Sequence, residues 1–157
     1  MAYAYPVKNA KLRYCNFSGA PDKFNKKGQI PNFCVIIPEE DVGYFRDDVG
    51  FNVKTRVTEN GTYHYLKINV GRYADIYLRD ANGEMHKLSP LVEDRQIQAL
   101  DNTKFEKVDL MITPRNWDMG DRHGCSAYLK ELFASEIGHS ELYQEWMNQD
   151  TTLEPDD

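Results

Sequence analysis

The stretch VKTRVTENGTYHYLKINV, residues 53–70, carries the strongest fold signal in this chain. Apolar and polar side chains alternate on both sides of Asn60-Gly61, as they do in half-buried strands. An Asn-Gly pair between two alternating runs is the strongest short-range signal for a β-hairpin. We therefore predict strands at 51–57 and 62–70, joined by a turn at 59–61.

Short β-type runs separated by turn signals continue on both sides of this hairpin. The further predicted strands are 11–17, 32–37, 75–79, 84–88, 105–113 and 125–137. Two short helices are predicted, one at 39–48 and one that opens at Ser89-Pro90 and runs to about residue 100. Residues 116–124 are predicted to form a polar loop before the last strand.

The order of these elements predicts the fold class. A helix between the third and fourth major strands is the connection found in a five-stranded OB barrel. We therefore predict a mainly β chain, a five-stranded OB-like barrel with an added hairpin and one or two short helices. The same order also fits other small barrels and sandwiches.

Charge is distributed unevenly along the chain, although the net value is −6. Residues 139–157 contain six acidic side chains and no Lys or Arg, which leaves 19 basic and 19 acidic residues in 1–138. The first 37 residues carry six cations against one acid, a local charge of +5. This asymmetry predicts a folded domain at 1–138 and an acidic, largely disordered tail at 139–157.

Three features predict a cytoplasmic protein without a membrane segment. No window approaches the ~18 consecutive apolar residues that span a bilayer. The N-terminus lacks the basic segment and apolar core of a signal peptide. Three widely spaced cysteines argue against a disulfide framework and favour a reducing compartment.

The outward positions of three consecutive strands combine rings with cations, because successive strand residues point to opposite faces. Leu66, Ile68 and Val70 fall on the predicted core face, together with Val53, Thr55 and Val57 of the preceding strand. The predicted outer face consists of Lys54, Arg56, Tyr63, Tyr65, Lys67, Tyr77 and Arg79.

Interleaved rings and cations are what single-stranded nucleic acid requires. Phosphates need positive charge along a groove, and unpaired bases stack on rings for ~1–3 kcal/mol each. The outer face is therefore a candidate site for single-stranded DNA. The alternative is that tyrosine is simply a favourable strand residue on a half-exposed face.

Three further residues are candidates for the same site. Lys26 and Lys27 lie in a predicted turn at 24–28, where both ammonium groups would be presented to solvent. Trp117 lies near the loop that helps to frame the cleft of an OB barrel. Trp117 could equally plug one end of the barrel, since its ring suits either environment.

Signals for catalysis, a metal or a cofactor are weak. Asp121, His123 and Cys125 are close in sequence but lack the paired spacing of a zinc site. No glycine-rich phosphate loop and no distinctive carboxylate pair is present. We predict no enzyme activity, no metal and no cofactor.

A series of short motifs spanning most of residues 8–137 resembles a family of bacteriophage single-stranded-DNA-binding proteins. The motifs are Phe24-Asn25-x-x-Gly28, Asn32-Phe33-Cys34-Val35, Leu100-Asp101, Val108-Asp109-Leu110-x-Ile112-x-Pro114-x-x-Trp117 and Ala127-Tyr128-Leu129-Lys130. The resemblance implies an OB-type fold, sequence-tolerant binding of single strands, a role in phage DNA replication or recombination, and no catalysis.

Protein partners are also expected. The acidic tail 139–157 is similar in kind to the tails of cellular single-strand-binding proteins, which recruit replication or recombination proteins and can compete with DNA. A homodimer is one arrangement open to the chain. The alternative function is a phage protein-interaction module that inhibits a host enzyme through the same aromatic face.

Overall fold

The computed structural model of the chain describes residues 4–21, 26–90 and 94–137. The predictions for Phe24, Asn25 and the tail 139–157 lie outside the described residues, and so does part of the predicted second helix. Within the described part, no helix is long and apolar enough to cross a membrane.

Strands dominate the described residues, which confirms the prediction of a mainly β chain. The strands are β1 Tyr5–Val7, β2 Leu12–Asn16, β3 Asn32–Ile37, β4 Lys54–Thr58, β5 Gly61–Asn69, β6 Asp75–Arg79, β7 Met85–Leu88, β8 Phe105–Met119 and β9 Arg122–Glu136. The helical segments are α1 Glu39–Gly43, a π-helical turn Tyr44–Val49, α2 Asp94–Gln98 and a 3-10 turn Ala99–Asn102.

The sheet follows the strand order of an OB barrel. Its main path runs β1-β8-β9-β5-β3-β2, and the β5–β9 pairing is parallel at Ile68↔Ala127. The backbone N–H of Ala10, just before β2, donates to Val108 of β8 at 2.8 Å. This bond brings the two ends of the path together. Strand β4 and the β6–β7 hairpin are additions at the sides.

The core lies inside this curved sheet and comes from the inward positions of the alternating strands. Leu66, Ile68 and Val70 are all buried, as predicted. Phe17 and Phe33 stack with ring centroids 5.2 Å apart at the end of β2. Burial of such aliphatic and aromatic side chains is the main source of stability.

The helical segment after β3 closes one side of the core. Three acidic residues occupy its first turn, where negative carboxylates interact favourably with the positive end of the helix dipole. Val42 and Phe45 are buried against the sheet. The segment ends at Gly50, whose φ of 95° is a left-handed conformation that suits glycine.

Two predictions fail where hairpins project from the body. Residues 116–124 are not a loop, since β8 continues to Met119 and β9 resumes at Arg122. Val57 is 76% exposed and Thr55 is also exposed, although both were assigned to the core face. In both hairpins the two faces of the projecting arm meet solvent. An alternating pattern therefore does not report burial there.

The turn of the β6–β7 hairpin is held by Asp80. One carboxylate oxygen accepts the backbone N–H groups of Asn82 and Glu84 at 2.9 and 3.0 Å. The other lies 2.8 Å from His86 Nε2. The hydrogen bond between the two side chains lowers the pKa of Asp80, and the same bond raises the pKa of His86.

This pair should stabilise the hairpin within a window of pH. The contribution of His86 is present below its unfolded pKa and is lost as pH rises through its raised folded pKa. The contribution of Asp80 is present above its unfolded pKa and is lost as pH falls through its lowered folded pKa. We expect Asp80→Asn to lower the pKa of His86 in an NMR titration, because the side-chain hydrogen bond to the carboxylate is the main cause of the raised value. An unchanged His86 titration would contradict the assigned cause.

Candidate functional site

The outward face of the β4–β5 hairpin combines cations and rings in direct register. Lys54 lies opposite Tyr65 and Arg56 lies opposite Tyr63. The two tyrosine rings have centroids 5.9 Å apart. Each cation therefore lies next to a ring, which confirms the predicted shared face of these four residues.

Tyr14 and Arg13 of β2 complete this cluster, although sequence reasoning did not select them. The Tyr14 hydroxyl lies 2.6 Å from that of Tyr63 and accepts a hydrogen bond from Arg56 at 2.9 Å. The Tyr14 ring meets Tyr65 edge to face at 5.8 Å, and the Arg13 guanidinium lies 5.5 Å from the Tyr63 centroid. We call Arg13, Tyr14, Arg56, Tyr63 and Tyr65 the tyrosine cluster.

The backbone explains why Tyr14 reaches the cluster. Tyr14 has a φ of 53°, and the β2–β3 register shifts between Arg13 and Asn16. Such an irregularity redirects a side chain out of the regular alternation. The only sequence signal was the Arg13-Tyr14 pair itself, a cation beside a ring.

The hydrogen bond between the two hydroxyl groups shifts their pKa values in opposite directions. This bond, assisted by the charge of Arg56, lowers the pKa of Tyr14. The same bond raises the pKa of Tyr63. Either hydroxyl can donate in the 2.6 Å contact. In both arrangements Tyr14 is bonded to Tyr63 and to Arg56, which links the three side chains.

A cleft of about 530 Å³ continues from the cluster, between the β4–β5 hairpin and the β8–β9 hairpin. Lys54 belongs to both the hairpin face and this cleft. Lys67, Asn69 and Trp117 line it further along. None of its lining residues, all within the described ranges, is acidic. We call this space the main cleft.

Trp117 forms one wall of the main cleft and does not plug the barrel. It lies on β8, opposite Gly124 of β9, and is 41% exposed. A Cβ at position 124 would lie 2.5 Å from Cζ2 of Trp117. The indole therefore rests directly on the backbone of Gly124, and only glycine leaves room for it.

Tyr77 and Arg79 do not share this face, which corrects the prediction of one surface across three neighbouring strands. Their strand, β6, pairs with β7 and β9 rather than with β4 or β5. Tyr77 stacks on Phe133 at 4.7 Å, and the Lys87 ammonium lies 5.8 Å from its ring. The prediction places consecutive strands side by side, but β5 and β6 instead pair with successive parts of β9.

Lys26 and Lys27 are exposed in the connection between β2 and β3, as predicted. In an OB barrel this connection is one of the two loops that flank the oligonucleotide site. The other is the tip of the β8–β9 hairpin, residues 119–122. Both lysines therefore remain candidates by position.

A further cation–ring pair, which the sequence did not predict, lies on the β8–β9 hairpin. The Arg115 guanidinium sits 3.8 Å from the centroid of Tyr128. Arg115 and Trp117 are two residues apart on β8 and so face the same way. Residues 116–124 had been assigned to a loop, so alternation was not applied to this arm.

The cysteines and the carboxylate–histidine group of the β6–β7 turn are poorly suited to nucleophilic catalysis or metal binding. Burial raises the pKa of all three cysteines, Cys15 to about 11, so none is an activated thiolate. Asp80, Glu84 and His86 have ligand atoms within 4.8 Å of one another and could approach a cation. The hydrogen bonds within the β6–β7 turn already account for the placement of Asp80 and His86.

Comparison with known proteins identifies similar chains. Residues 4–148 match the model of a family described as "Putative phage ssDNA-binding domain". Among solved structures, the single-stranded DNA-binding protein from bacteriophage Enc34 is similar. Its C-terminal truncation gives a TM-score of 0.56 at 12% identity, covering 87% of each chain. Its complex with single-stranded DNA gives 0.57 at 10% identity, covering 88% of this chain and 89% of that one. At these identities the likeness concerns the fold. A search of curated proteins finds no match.

Proposed function

We propose, because the chain belongs to the phage single-stranded-DNA-binding family that it matches over residues 4–148, that it binds and protects single-stranded DNA with little sequence preference. The setting would be phage DNA replication or recombination in the cytoplasm of the host cell. The observation that carries the proposal is the continuity of the tyrosine cluster with the main cleft through Lys54, without an acidic lining residue.

The rings of this surface suit the bases of a nucleotide, and its cations suit the phosphates. Rings at Tyr63, Tyr65 and Trp117 offer flat surfaces on which bases of any identity can stack. Lys54 and Lys67 supply positive charge for the phosphates between those bases. Stacking and phosphate contacts carry little sequence information, so binding should tolerate any sequence.

The tyrosine cluster also lowers the cost of binding. Its rings are fixed before DNA arrives, by the hydroxyl contact of 2.6 Å and the Arg56 hydrogen bond of 2.9 Å. Side chains that are already ordered lose less conformational entropy when a ligand binds. This supports a preformed site rather than one assembled around the DNA.

The proposal contains no catalytic step. Cys125, which lines the main cleft, has a pKa raised by burial and is therefore a poor nucleophile. His123, which also lines it, is exposed at the hairpin arm. Binding alone accounts for the groups that line the cleft.

Protein contacts form a separate part of the proposal. The acidic segment 139–157 would recruit replication or recombination proteins and would compete with DNA for the cationic cleft. Its six carboxylates complement Lys54 and Lys67 in charge. The family match extends to residue 148, ten residues beyond the proposed domain boundary at 138.

Salt dependence tests the proposed function directly. We expect labelled single-stranded DNA to bind, with duplex DNA a poor competitor, and affinity to fall steeply with salt as counterions are released. Lys54→Ala and Lys67→Ala should each flatten the slope of log affinity against log salt by ~0.7, one phosphate's share for a single strand. Lys107→Ala is the matched control, since Lys107 pairs with Asp109 near the start of β8 and does not line the main cleft.

The alternative outcomes are distinct. No binding to single strands would favour a protein-interaction module that uses the aromatic face against a host enzyme. Binding with an unchanged slope in both cleft variants would place the phosphate path elsewhere, with Lys26 and Lys27 the next candidates.

A further inference from the structure

A second cleft, of about 640 Å³, lies on the far side of Arg115 from the main cleft. Its walls are the connection between β5 and β6, the end of the β2–β3 connection, and the β8–β9 hairpin. We call it the side cleft. OB barrels bind oligonucleotides through the face of their second and third strands and two flanking loops. The β5–β6 connection belongs to none of these.

Tyr73 is the most unusual residue of the side cleft. It lies in the β5–β6 connection and is 86% exposed, more than any other large hydrophobic side chain in the described residues. A tyrosine is seldom left so fully in water, because its ring gains free energy when it is covered. An exposed ring at the rim of a cleft is suited to stacking against a flat ligand.

The charge of the side cleft suits an anion. Arg72, Arg115 and Lys130 line it, against the single acid Asp75. Arg115 is exposed and rests on the ring of Tyr128, which positions its planar guanidinium. Guanidinium planes and aromatic rings are the surfaces on which unpaired bases stack.

The side cleft and the main cleft open on the same face of the sheet. Arg115 and Trp117 alternate on β8 with the same orientation, and Ser126 and Tyr128 do so on β9. Asn69 of the main cleft pairs with Tyr128 of the side cleft. A DNA strand that passed Trp117 would meet Arg115 next, and Arg115 shares the lining of the side cleft with Tyr73.

From this arrangement we propose that the side cleft is a second base-binding subsite for the same DNA strand, with Tyr73 as its stacking platform. Arg115 forms the boundary between the two clefts and offers a plane to the base that crosses it. Arg72 and Lys130 contact the phosphates on either side of the base at Tyr73. The inference rests on the proposed function, since it extends the path of that DNA.

The dependence of affinity on oligonucleotide length tests the subsite. Full-length protein would be titrated with oligothymidylates of about 4 to about 16 nucleotides, the range of site sizes known for OB folds. We expect Tyr73→Ala to weaken binding of the longest oligomers roughly 5- to 150-fold, the equivalent of one lost stacking platform. The shortest oligomer that binds should be unaffected, because it fits within the main cleft. Tyr73→Phe keeps the ring and should behave as the wild type.

Other outcomes separate failure of the subsite from failure of the function. Equal weakening at every length would make Tyr73 part of the main site and overturn a second subsite. Normal binding by Tyr73→Ala at every length would overturn the subsite and leave the proposed function intact. A wild-type protein that binds no oligomer would overturn both. Because the Tyr73 side chain is exposed, its truncation should leave the fold intact, and circular dichroism of the variant checks this directly.

Discussion

The double variant Tyr65→Ala with Trp117→Ala should bind single-stranded DNA ~2–6 kcal/mol more weakly than the wild type, since each ring removed costs ~1–3 kcal/mol of stacking. The two rings come from β5 and β8 and belong to different parts of the proposed path. Losses at separate sites without shared partners are close to additive. Fluorescence anisotropy of a labelled oligonucleotide at fixed salt measures the change.

Controls distinguish lost stacking from lost structure. Tyr65→Phe and Trp117→Phe retain a ring and should recover most of the affinity. Gly124→Ala removes no ring but places a methyl where the indole of Trp117 lies, so it should weaken binding by displacing that side chain. Normal affinity of a folded double variant would show that the bases lie elsewhere on the protein.

Asp101→Ala should lower the free energy of unfolding by ~3–6 kcal/mol, because two hydrogen bonds to a charged group are lost and each is worth ~1.5–3 kcal/mol. The carboxylate accepts the backbone N–H of Phe17 through one oxygen and that of Ser18 through the other, the latter at 3.2 Å. Phe17 is 1% exposed and stacks on Phe33. Without the carboxylate, two backbone donors next to the core lose their partner.

Urea denaturation gives the size of this loss. Asp101→Asn retains one carbonyl oxygen and should lose less stability than Asp101→Ala. Asp109→Ala is the matched control, because Asp109 accepts a single backbone N–H, from Asn9, in an exposed position. If Asp101→Ala and Asp109→Ala lower the free energy of unfolding equally, the hydrogen bonds from the end of β2 to Asp101 would not be a main source of stability.

The sequence predicts the barrel well where one face of a strand is packed and the other is solvated. β3 was placed at its observed bounds, and the core face of β5 at Leu66, Ile68 and Val70 is correct. In these strands one face is buried and the other is solvated, so apolar and polar residues alternate along the sequence.

The failures share a physical cause. Where the arms of β4 and β8 leave the body, both faces meet solvent, so alternation gives the direction of a side chain but not its burial, as Val57 shows. Spatial neighbours are equally invisible in a local pattern. Tyr14 joins Tyr63 across an intervening strand, and Tyr77 stacks on Phe133, far away in sequence. The candidate site was therefore only half predictable: its residue types were evident, but not the way in which the chain assembles them.

The pairing of β1 with β8 determines when a newly made chain can fold. Tyr5 can pair with Ile112 only after residue 112 has been synthesised, and Ile68 can pair with Ala127 only after residue 127 has been. Contacts between residues so distant in sequence make folding slow, because a long loop must close before the contact stabilises it. While the ribosome is still adding the middle of the chain, the first strands have no sheet to join. The barrel can therefore close only after β9 emerges from the ribosome, so the strands made earlier must wait for their partners in an unpaired state.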